Sequence, residues 1–309
     1  MAAHGSWPHE KLFSPDPAFV LTAPTPLTAA AAPWPLPPWL AASAGLHAAA
    51  AATLLVSPAT WPWALGAVVL NHAGLTAAGL WPRSQVLGPN VTWLGQAAAR
   101  RGEVALTLDD GPDAEVTPAV LDLLAAHGAL ATFFCIARHA AAQPALVRRI
   151  VAAGHSVQNH SAVHRHNFSM LGPRGFEREI GRAQQQLADI TGVLPHCFRA
   201  PAGLRNPLLD PVLHRLGLHL VSWTRRGFDT RDTQASRVLR RLTSNLHGGD
   251  ILLLHDGHAA RSRDGANAGQ AVVLRVLPEL LIRCRQQGLK LVKLDQALPR
   301  RGGPALTPA

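Results

Sequence analysis

The sequence predicts an α/β fold: an incomplete (distorted) parallel β/α barrel of about seven strands, preceded by an N-terminal transmembrane helical hairpin. Three observations support this prediction. The stretch from Pro17 to Pro82 holds no Asp, Glu, Lys or Arg, short strand-like runs recur after residue 101, and amphipathic stretches separate several of those runs. Hydrophobic residues make up 48% of the 309 residues, enough for a core built mostly of Ala, Val and Leu.

The uncharged stretch contains two apolar segments, residues 39–56 and 61–81, joined by Ser-Pro-Ala-Thr. Each is long enough to cross a hydrocarbon core of about 30 Å, and tryptophans cluster at the segment ends, as expected for rings at the headgroup level. We therefore predict a transmembrane hairpin at 39–82 after a Pro- and Ala-rich tail at 1–38. A cleaved signal peptide and a buried helical pair are the alternatives, although a signal peptide normally begins with a short basic region.

A hairpin leaves both of its ends on one side of the membrane. Its flanks carry Lys11, Arg83, Arg100 and Arg101, whereas the connecting loop has no charge. The positive-inside rule then favours a position at the inner or plasma membrane with the residues after the hairpin in the cytoplasm. Because this rests on only four charges, the side of the membrane stays open.

The chain is basic, with a formal net charge of +10 and three cysteines. A basic chain suggests nucleic acid or an anionic membrane surface as a partner, but the arginines are scattered and no nucleic-acid-binding motif accompanies them. We expect no nucleic-acid partner. The cysteines are far apart and show no CxxC spacing, so they do not form a disulfide framework.

Seven strand-like runs follow residue 101: VALTLDD, LATFFCIA, HSVQNH, HCFRAPA, HLVSWT, DILLLHD and KLVKLD. Between them, FEREIGRAQQQLADITG has apolar residues at helical spacing and ends at Gly192. Strands alternating with crossover helices predict a parallel sheet, here a barrel domain at 102–298 with a linker at 83–101 and a C-terminal tail at 299–309.

The carboxyl ends of barrel strands meet at one mouth, so polar residues at those ends are candidates for the site. They are Asp109, Asp110, His160, His164, Arg199, Asp229 and His255. On a helical turn, the spacing of His160 and His164 would place two imidazoles on one face, as in metal sites with two nitrogen ligands, and a carboxylate would complete an Asp-His-His site. Taken alone, Asp109 and Asp110 are equally consistent with a turn after a strand.

Five motifs, in chain order TLDDGPD, NHSAVH, FRAPAG, WTRRGFD and LLLHD, resemble those of the polysaccharide deacetylase family, the NodB-homology domains of carbohydrate esterase family 4. The resemblance covers roughly residues 102–298. It implies that Asp109 is the general base, that Arg199 orients this base, and that His255, paired with Asp229, is the general acid.

The same resemblance implies a divalent metal, commonly zinc, held by Asp110, His160 and His164. It also implies an N-acetylated carbohydrate as the substrate. An amide has a poor leaving group, so its hydrolysis needs both a base for the attacking water and an acid for the nitrogen.

The chain departs from the family pattern in the expected substrate groove, which includes Pro201, Ala202 and Trp223. Ala202 stands where the family has a Tyr, Thr230 where it has a Trp, and Arg226 where it has an acidic residue. These departures do not change the expected reaction, but they leave the identity of the substrate open.

We therefore expect a membrane-anchored, metal-dependent hydrolase that removes N-acetyl groups from amino-sugar polymers or oligomers. One alternative is a deacylase or deformylase of a lipid-linked amino-sugar precursor. The other alternative is a non-catalytic carbohydrate-binding relative. Loss of any of the acid, base or metal-ligand residues would favour it, but all of these residues are present.

Overall fold

The computed structural model of the chain describes residues 33–262 and 269–300. Most of the predicted tail at 1–38 and nearly all of the predicted tail at 299–309 lie outside these residues. The α-helices are α1 (Pro38–Val56), α2 (Trp61–Leu80), α3 (Gln96–Arg100), α4 (Val116–Ala126), α5 (Ala137–Ala142), α6 (Pro144–Ala152), α7 (Pro173–Thr191), α8 (Leu209–Arg215), α9 (Ala235–Thr243), α10 (Val272–Gln286) and α11 (Leu294–Ala297). The strands are β1 (Glu103–Asp109), β2 (Thr132–Cys135), β3 (Ser156–Asn159), β4 (Cys197–Phe198), β5 (His219–Leu220), β6 (Arg225–Arg226), β7 (Ile251–His255) and β8 (Lys290–Leu291).

Helices α1 and α2 form a hairpin around a short 3₁₀ turn, Pro58–Thr60. Asn71 of α2 donates a hydrogen bond of 2.8 Å to the hydroxyl of Ser43 in α1. Both helices are long and apolar enough to cross a membrane by length and composition. No residue of α1 and only Gly79 of α2 is buried, which rules out the alternative that they are a buried helical pair.

The strands form one parallel sheet in the order β5-β4-β3-β2-β1-β7-β6, and β8 pairs with the start of β1. Helices connect the successive strands except β5 and β6, which lie at opposite ends of the sheet. This confirms the predicted incomplete β/α barrel.

The two ends of the sheet belong to one continuous chain segment, residues 219–226. Its first two residues pair with β4 and its last two pair with β7, and the four residues between them leave a gap in the ladder. Val91, from the segment after the hairpin, bridges Val221 within this gap. The barrel is thus closed by a bent segment rather than by a full strand.

Alternation along the strands divides the core into two layers. In β1, Leu106 and Leu108 pack with α4 and α10 outside the sheet, whereas Ala105 packs inside the barrel. In β7, Leu252 and Leu254 face outward and Leu253 faces inward. The same alternation carries the polar residues at the strand ends to the inside of the barrel.

The hairpin is bonded directly to the barrel. The carbonyl of Gly79, near the end of α2, accepts a hydrogen bond of 3.1 Å from the backbone N–H of Arg205. The carbonyl of Pro82 accepts one of 2.5 Å from the Ser222 hydroxyl. Before α1, the Trp34 indole donates to Asp210 at 2.8 Å. Contacts from both of its ends therefore attach the hairpin to the barrel.

Each of the seven predicted strand runs contains one observed strand, and the predicted amphipathic helix is α7, which ends at Gly192 in the left-handed conformation (φ 73°) that glycine tolerates. The sequence reading missed β6. This strand consists of two arginines, Arg225 and Arg226, and so shows none of the apolar pattern that marks a buried strand.

Candidate active site

The register between β1 and β7 places the first site pair side by side. Asp109 is the last residue of β1 and lies directly opposite His255, the last residue of β7. Both side chains point into the barrel because they share the strand face of Ala105 and Leu253. Two strands that are 140 residues or more apart in the chain thus bring a carboxylate and an imidazole to one mouth.

Arg199 follows β4 and is 1% exposed. Its Nη1 donates to Asp109 Oδ1 at 2.7 Å and to Thr107 Oγ1 at 2.8 Å, and its Nε and Nη2 donate to the carbonyls of Val221 and Ser222. All three nitrogens are thus used, so the guanidinium is fixed. Burial lowers the pKa of Arg199, while the Asp109 carboxylate acts in the opposite direction.

Asp110 comes next in the chain but faces a different set of partners. Its Oδ1 lies 3.2 Å from His160 Nε2 and 3.4 Å from His164 Nε2. One potential ligand atom from each of these three residues lies within 4.8 Å of the others. Asp110 Oδ1 is buried and accepts no hydrogen bond from the described part of the chain.

These three residues fit a divalent cation. His160 Nδ1 lies 2.8 Å from the Arg199 carbonyl and donates its proton there, so Nε2, which faces Asp110, is the nitrogen that could bind a metal. Burial lowers the pKa of His160, but the Asp109 and Asp110 carboxylates outweigh it and raise the pKa, so a metal at Nε2 would replace a proton. Burial lowers the pKa of His164 to about 4, which keeps this ring neutral at pH 7. Burial opposes the ionisation of Asp110, but the neighbouring His160 and His258 rings outweigh it and hold the pKa of this carboxyl well below its usual range.

A loop, not a helical turn, brings the two imidazoles together. Residues 160–166 are irregular, and both Ser161 and His164 have left-handed backbones (φ 68° and 52°). The loop is stabilised by hydrogen bonds from Ser161 N to Asn159 Oδ1 and from His164 N to Ser161 Oγ. The helical reading of the spacing was wrong because these side-chain acceptors stabilise a turn in place of a helix.

Asp229 holds His255 at two points. Asp229 Oδ2 accepts from the His255 backbone N–H at 2.8 Å, and Oδ1 lies 2.9 Å from His255 Nδ1. Burial lowers the pKa of His255, but the Asp229 carboxylate outweighs this effect, so the pKa of the ring is raised. With Nδ1 committed to Asp229, the other ring nitrogen is left to exchange a proton with a substrate.

Five of these side chains line a cavity of about 260 Å³, and Arg199 and Asp229 lie behind them. Its wall includes Asp109, Asp110, His160, His164 and His255, and also Ala202, Gly203, Trp223, Arg226, Thr230, Arg231, Leu253 and His258. Of the three expected groove residues, Ala202 and Trp223 therefore lie on the wall. Pro201 does not line the cavity; it is buried and begins the 3₁₀ turn that presents Ala202.

The sequence reading left Asp256 without a role. This buried carboxyl accepts a hydrogen bond of 2.6 Å from the Thr117 hydroxyl, and burial raises its pKa to about 7. A Cβ on Gly111 would lie 2.2 Å from Asp256 Oδ2, so only glycine fits directly after the two aspartates. The sequence signal that could have identified Asp256 is its position directly after His255, the last residue of β7.

His258 was also missed, because it lies beyond the last motif in an irregular segment. Its Nδ1 lies 3.5 Å from Asp110 Oδ2, and the side chain is largely exposed at the cavity mouth. The ring therefore covers the second oxygen of the proposed metal-binding carboxylate.

Comparison with known proteins gives the family. The profile of the family described as polysaccharide deacetylase matches residues 96–221. A chitooligosaccharide deacetylase of Azorhizobium caulinodans is 38% identical over 172 residues, which are 53% of this chain and 80% of that protein. The chain belongs to the polysaccharide deacetylase family. It is accordingly a hydrolase that acts on carbon–nitrogen amide bonds other than peptide bonds.

Two further proteins support this membership. A peptidoglycan-N-acetylglucosamine deacetylase of Bacillus cereus is 30% identical over 220 residues, which are 67% of this chain and 92% of that protein. The structure of a family 4 carbohydrate esterase from Streptomyces lividans in complex with acetate superposes with a TM-score of 0.57 at 32% identity, covering 65% of this chain and 96% of that one. The similarity therefore reaches almost the full length of both relatives.

Asp110→Asn tests the proposed metal site. We expect the variant to lose bound divalent metal, because an amide is a poorer ligand than a carboxylate and cannot balance the charge of the cation. Metal content per chain is measured by elemental analysis after dialysis against Zn²⁺ and then buffer. Asp122→Asn, at an exposed carboxylate on α4, is the matched control and should bind as the wild type does. Equal metal content in the two variants would contradict the assignment.

Proposed function

We propose that this chain is a metal-dependent deacetylase that removes N-acetyl groups from amino-sugar oligomers or polymers. One observation carries the proposal: two adjacent carboxylates have different partners within the same cavity. Asp109 is paired with the Arg199 guanidinium, whereas Asp110 faces two imidazoles. This is the division of labour that a base and a metal ligand require.

Asp109 is suited to act as the base. Arg199 binds its Oδ1, which leaves Oδ2 directed towards His160 Nε2 at 3.8 Å, next to the proposed metal site. A water between Asp109 Oδ2 and an amide carbon would give its proton to Oδ2 as it attacks. A divalent ion held by Asp110, His160 and His164 would polarise the amide carbonyl and lower the pKa of a water molecule.

His255 is suited to act as the acid. Asp229 fixes Nδ1 and raises the pKa of the ring, so Nε2 can hold a proton and deliver it to the departing amine. The backbone N–H of Ala202, on the opposite wall, is the proposed donor to the oxygen that becomes negative during attack. The loss of the Tyr side chain at this position does not remove that N–H group.

We propose that α1 and α2 anchor the chain in a membrane. Their exposed surface is apolar, and Trp39, Trp61, Trp63 and Trp81 near their ends are each more than half exposed. Such a surface is unfavourable in water, whereas a bilayer would cover it.

A lipid-linked amino sugar is the second candidate substrate, and the attachment of the hairpin favours it. Gly203 and Trp223 line the cavity, and a Cβ on Gly203 would lie 2.6 Å from Pro82 and 2.8 Å from the Trp223 ring. Pro82, two residues after the end of α2, thus packs against the wall of the cavity. A membrane-bound hairpin would keep the active site close to the headgroups.

Acetate release tests the reaction. The full chain in detergent is incubated with short N-acetylglucosamine oligomers, with chelator and with added Zn²⁺. We expect release that chelator abolishes and Zn²⁺ restores, and a loss of about 10²-fold or more in Asp109→Asn because a positioned base contributes about 10²–10⁴-fold. Asp122→Asn should keep wild-type activity. Metal binding without acetate release would favour the lipid-linked amide, and the absence of both would favour a non-catalytic carbohydrate-binding protein.

Asp229→Asn tests the acid through the pH profile. If His255 must be protonated, activity is present below its raised pKa and is lost as pH rises through that value. Removing the Asp229 carboxylate removes the main cause of the raised pKa, so the alkaline limb should move to lower pH. Asp232→Asn, three residues away and paired with Arg237 and Arg241, should leave the limb in place. An unshifted limb in Asp229→Asn would rule out His255 as the acid.

Leu70→Arg tests the anchor. Leu70 is 74% exposed in the middle of α2, and an arginine there should weaken insertion by about 2.5–3.5 kcal/mol. We expect the wild-type chain to stay with membranes after carbonate washing and the variant to be partly released. Leu208→Arg, at an exposed position on the barrel, is the matched control. Release of the wild-type chain by carbonate would contradict the anchor.

A further inference from the structure

The two arginines of β6 have opposite environments because neighbouring residues of a strand face opposite ways. Arg225 points away from the cavity and is fully engaged: its Nε contacts Asp250, and its Nη1 and Nη2 donate to the carbonyls of Ser244 and Asn245. Arg226 points into the barrel and lines the cavity. Its guanidinium carbon lies 5.2 Å from the Trp223 ring centroid and 5.0 Å from that of Phe228.

Arg226 has no anionic partner. Within residues 33–262 and 269–300 no carboxylate lies at ion-pair distance from it, and its buried Nε makes no hydrogen bond. The carboxylates of Asp109 and Asp229, which act on it through space, are already committed to Arg199 and His255. A half-buried guanidinium held between two aromatic rings and left unpaired is costly unless an anion binds there.

The charge of the cavity favours an anion as well. Arg231 is a second guanidinium on the same wall, for which no ion pair is found in the described chain. The carboxylates of Asp109, Asp110 and Asp229 balance the guanidiniums of Arg199, Arg226 and Arg231. Counting these six side chains, a divalent ion at the metal site would leave an excess of about two positive charges, and a protonated His255 would add to it.

We propose that Arg226, assisted by Arg231, forms a subsite for an anionic substituent, a phosphate or a carboxylate, on the amino sugar whose amide is hydrolysed. This inference rests on the proposed deacetylase function and defines its substrate class. The planar guanidinium donates in a fork that matches the paired oxygens of such groups. Trp223 and Phe228 hold the fork in place, so little side-chain freedom is lost on binding.

A substrate of this class differs from the neutral N-acetylglucosamine oligomers. In a neutral oligomer nothing compensates the Arg226 charge, whereas a phosphate or carboxylate next to the acetamido sugar would do so. Arg226 therefore becomes a specificity-determining residue at the position where the family pattern has an acidic one.

Equilibrium binding tests the inference independently of catalysis. Isothermal titration of the full chain in detergent is carried out with three probes: N-acetylglucosamine 1-phosphate, N-acetylmuramic acid and the neutral methyl glycoside of N-acetylglucosamine. We expect at least one anionic probe to bind about tenfold or more tightly than the neutral one, as a charge-assisted hydrogen bond would give. Which of the two anions binds more tightly distinguishes a phosphate subsite from a carboxylate subsite.

Arg226→Gln should remove most of this preference, and Arg226→Lys should keep part of it because the charge remains but the fork is lost. Arg148→Gln, with the same change of charge on the exposed surface of α6, is the matched control and should keep the full preference. Circular dichroism verifies that the variants fold. Equal binding of the three probes, no binding of either anion, or a preference that survives Arg226→Gln would overturn the inference. Acetate release from neutral oligomers is scored separately, so failure of the deacetylase function is recognised by itself.

Discussion

The buried ion pair between Arg199 and Asp109 is the interaction on which the site depends. Taking both charges out of water is expensive, and the cost is met only because Arg199 also donates to Thr107 and to the carbonyls of Val221 and Ser222. The same four contacts join β1 to the segment that closes the barrel. Removing either charge would leave the other one buried and unpaired, and would loosen the mouth of the barrel as well as the base.

The segment that closes the barrel, residues 219–226, also shapes the wall of the cavity. Its bend supplies the two carbonyls that hold Arg199, places Trp223 on the cavity wall, and turns Arg226 inward. A regular strand would have paired its carbonyls with a neighbour and could not have offered them to a guanidinium. The gap in the ladder therefore positions both Arg199, the partner of the proposed base, and Arg226 of the proposed anionic subsite.

The N-terminal hairpin is connected to the same network of contacts. The chain after α2 packs against Gly203 and is hydrogen-bonded to Ser222, which itself accepts from Arg199. Three hydrogen bonds, through Ser222 and Arg199, thus connect the chain after the hairpin to Asp109, the proposed base. A substrate whose sugar carries a lipid phosphate would be consistent with the position of the hairpin. Its phosphate would also supply an anionic partner for Arg226.

The sequence by itself determined the β/α barrel, the seven apolar strands and the polar residues at the strand ends, because alternation, helical period and turn residues are local signals. It also determined the family, since five short motifs in order are specific. Only the tertiary structure decided how the polar residues pair, because Asp109, Arg199 and His255 come from distant strands whose register no local pattern encodes. It likewise decided that a loop unites His160 and His164, that β6 exists, and that Arg226 faces the cavity while Arg225 does not. Strand β6 and the pairing of Asp109, Arg199 and His255 depend on partners from distant parts of the chain, whereas the loop at His160 and His164 depends on side-chain hydrogen bonds that compete with a helix.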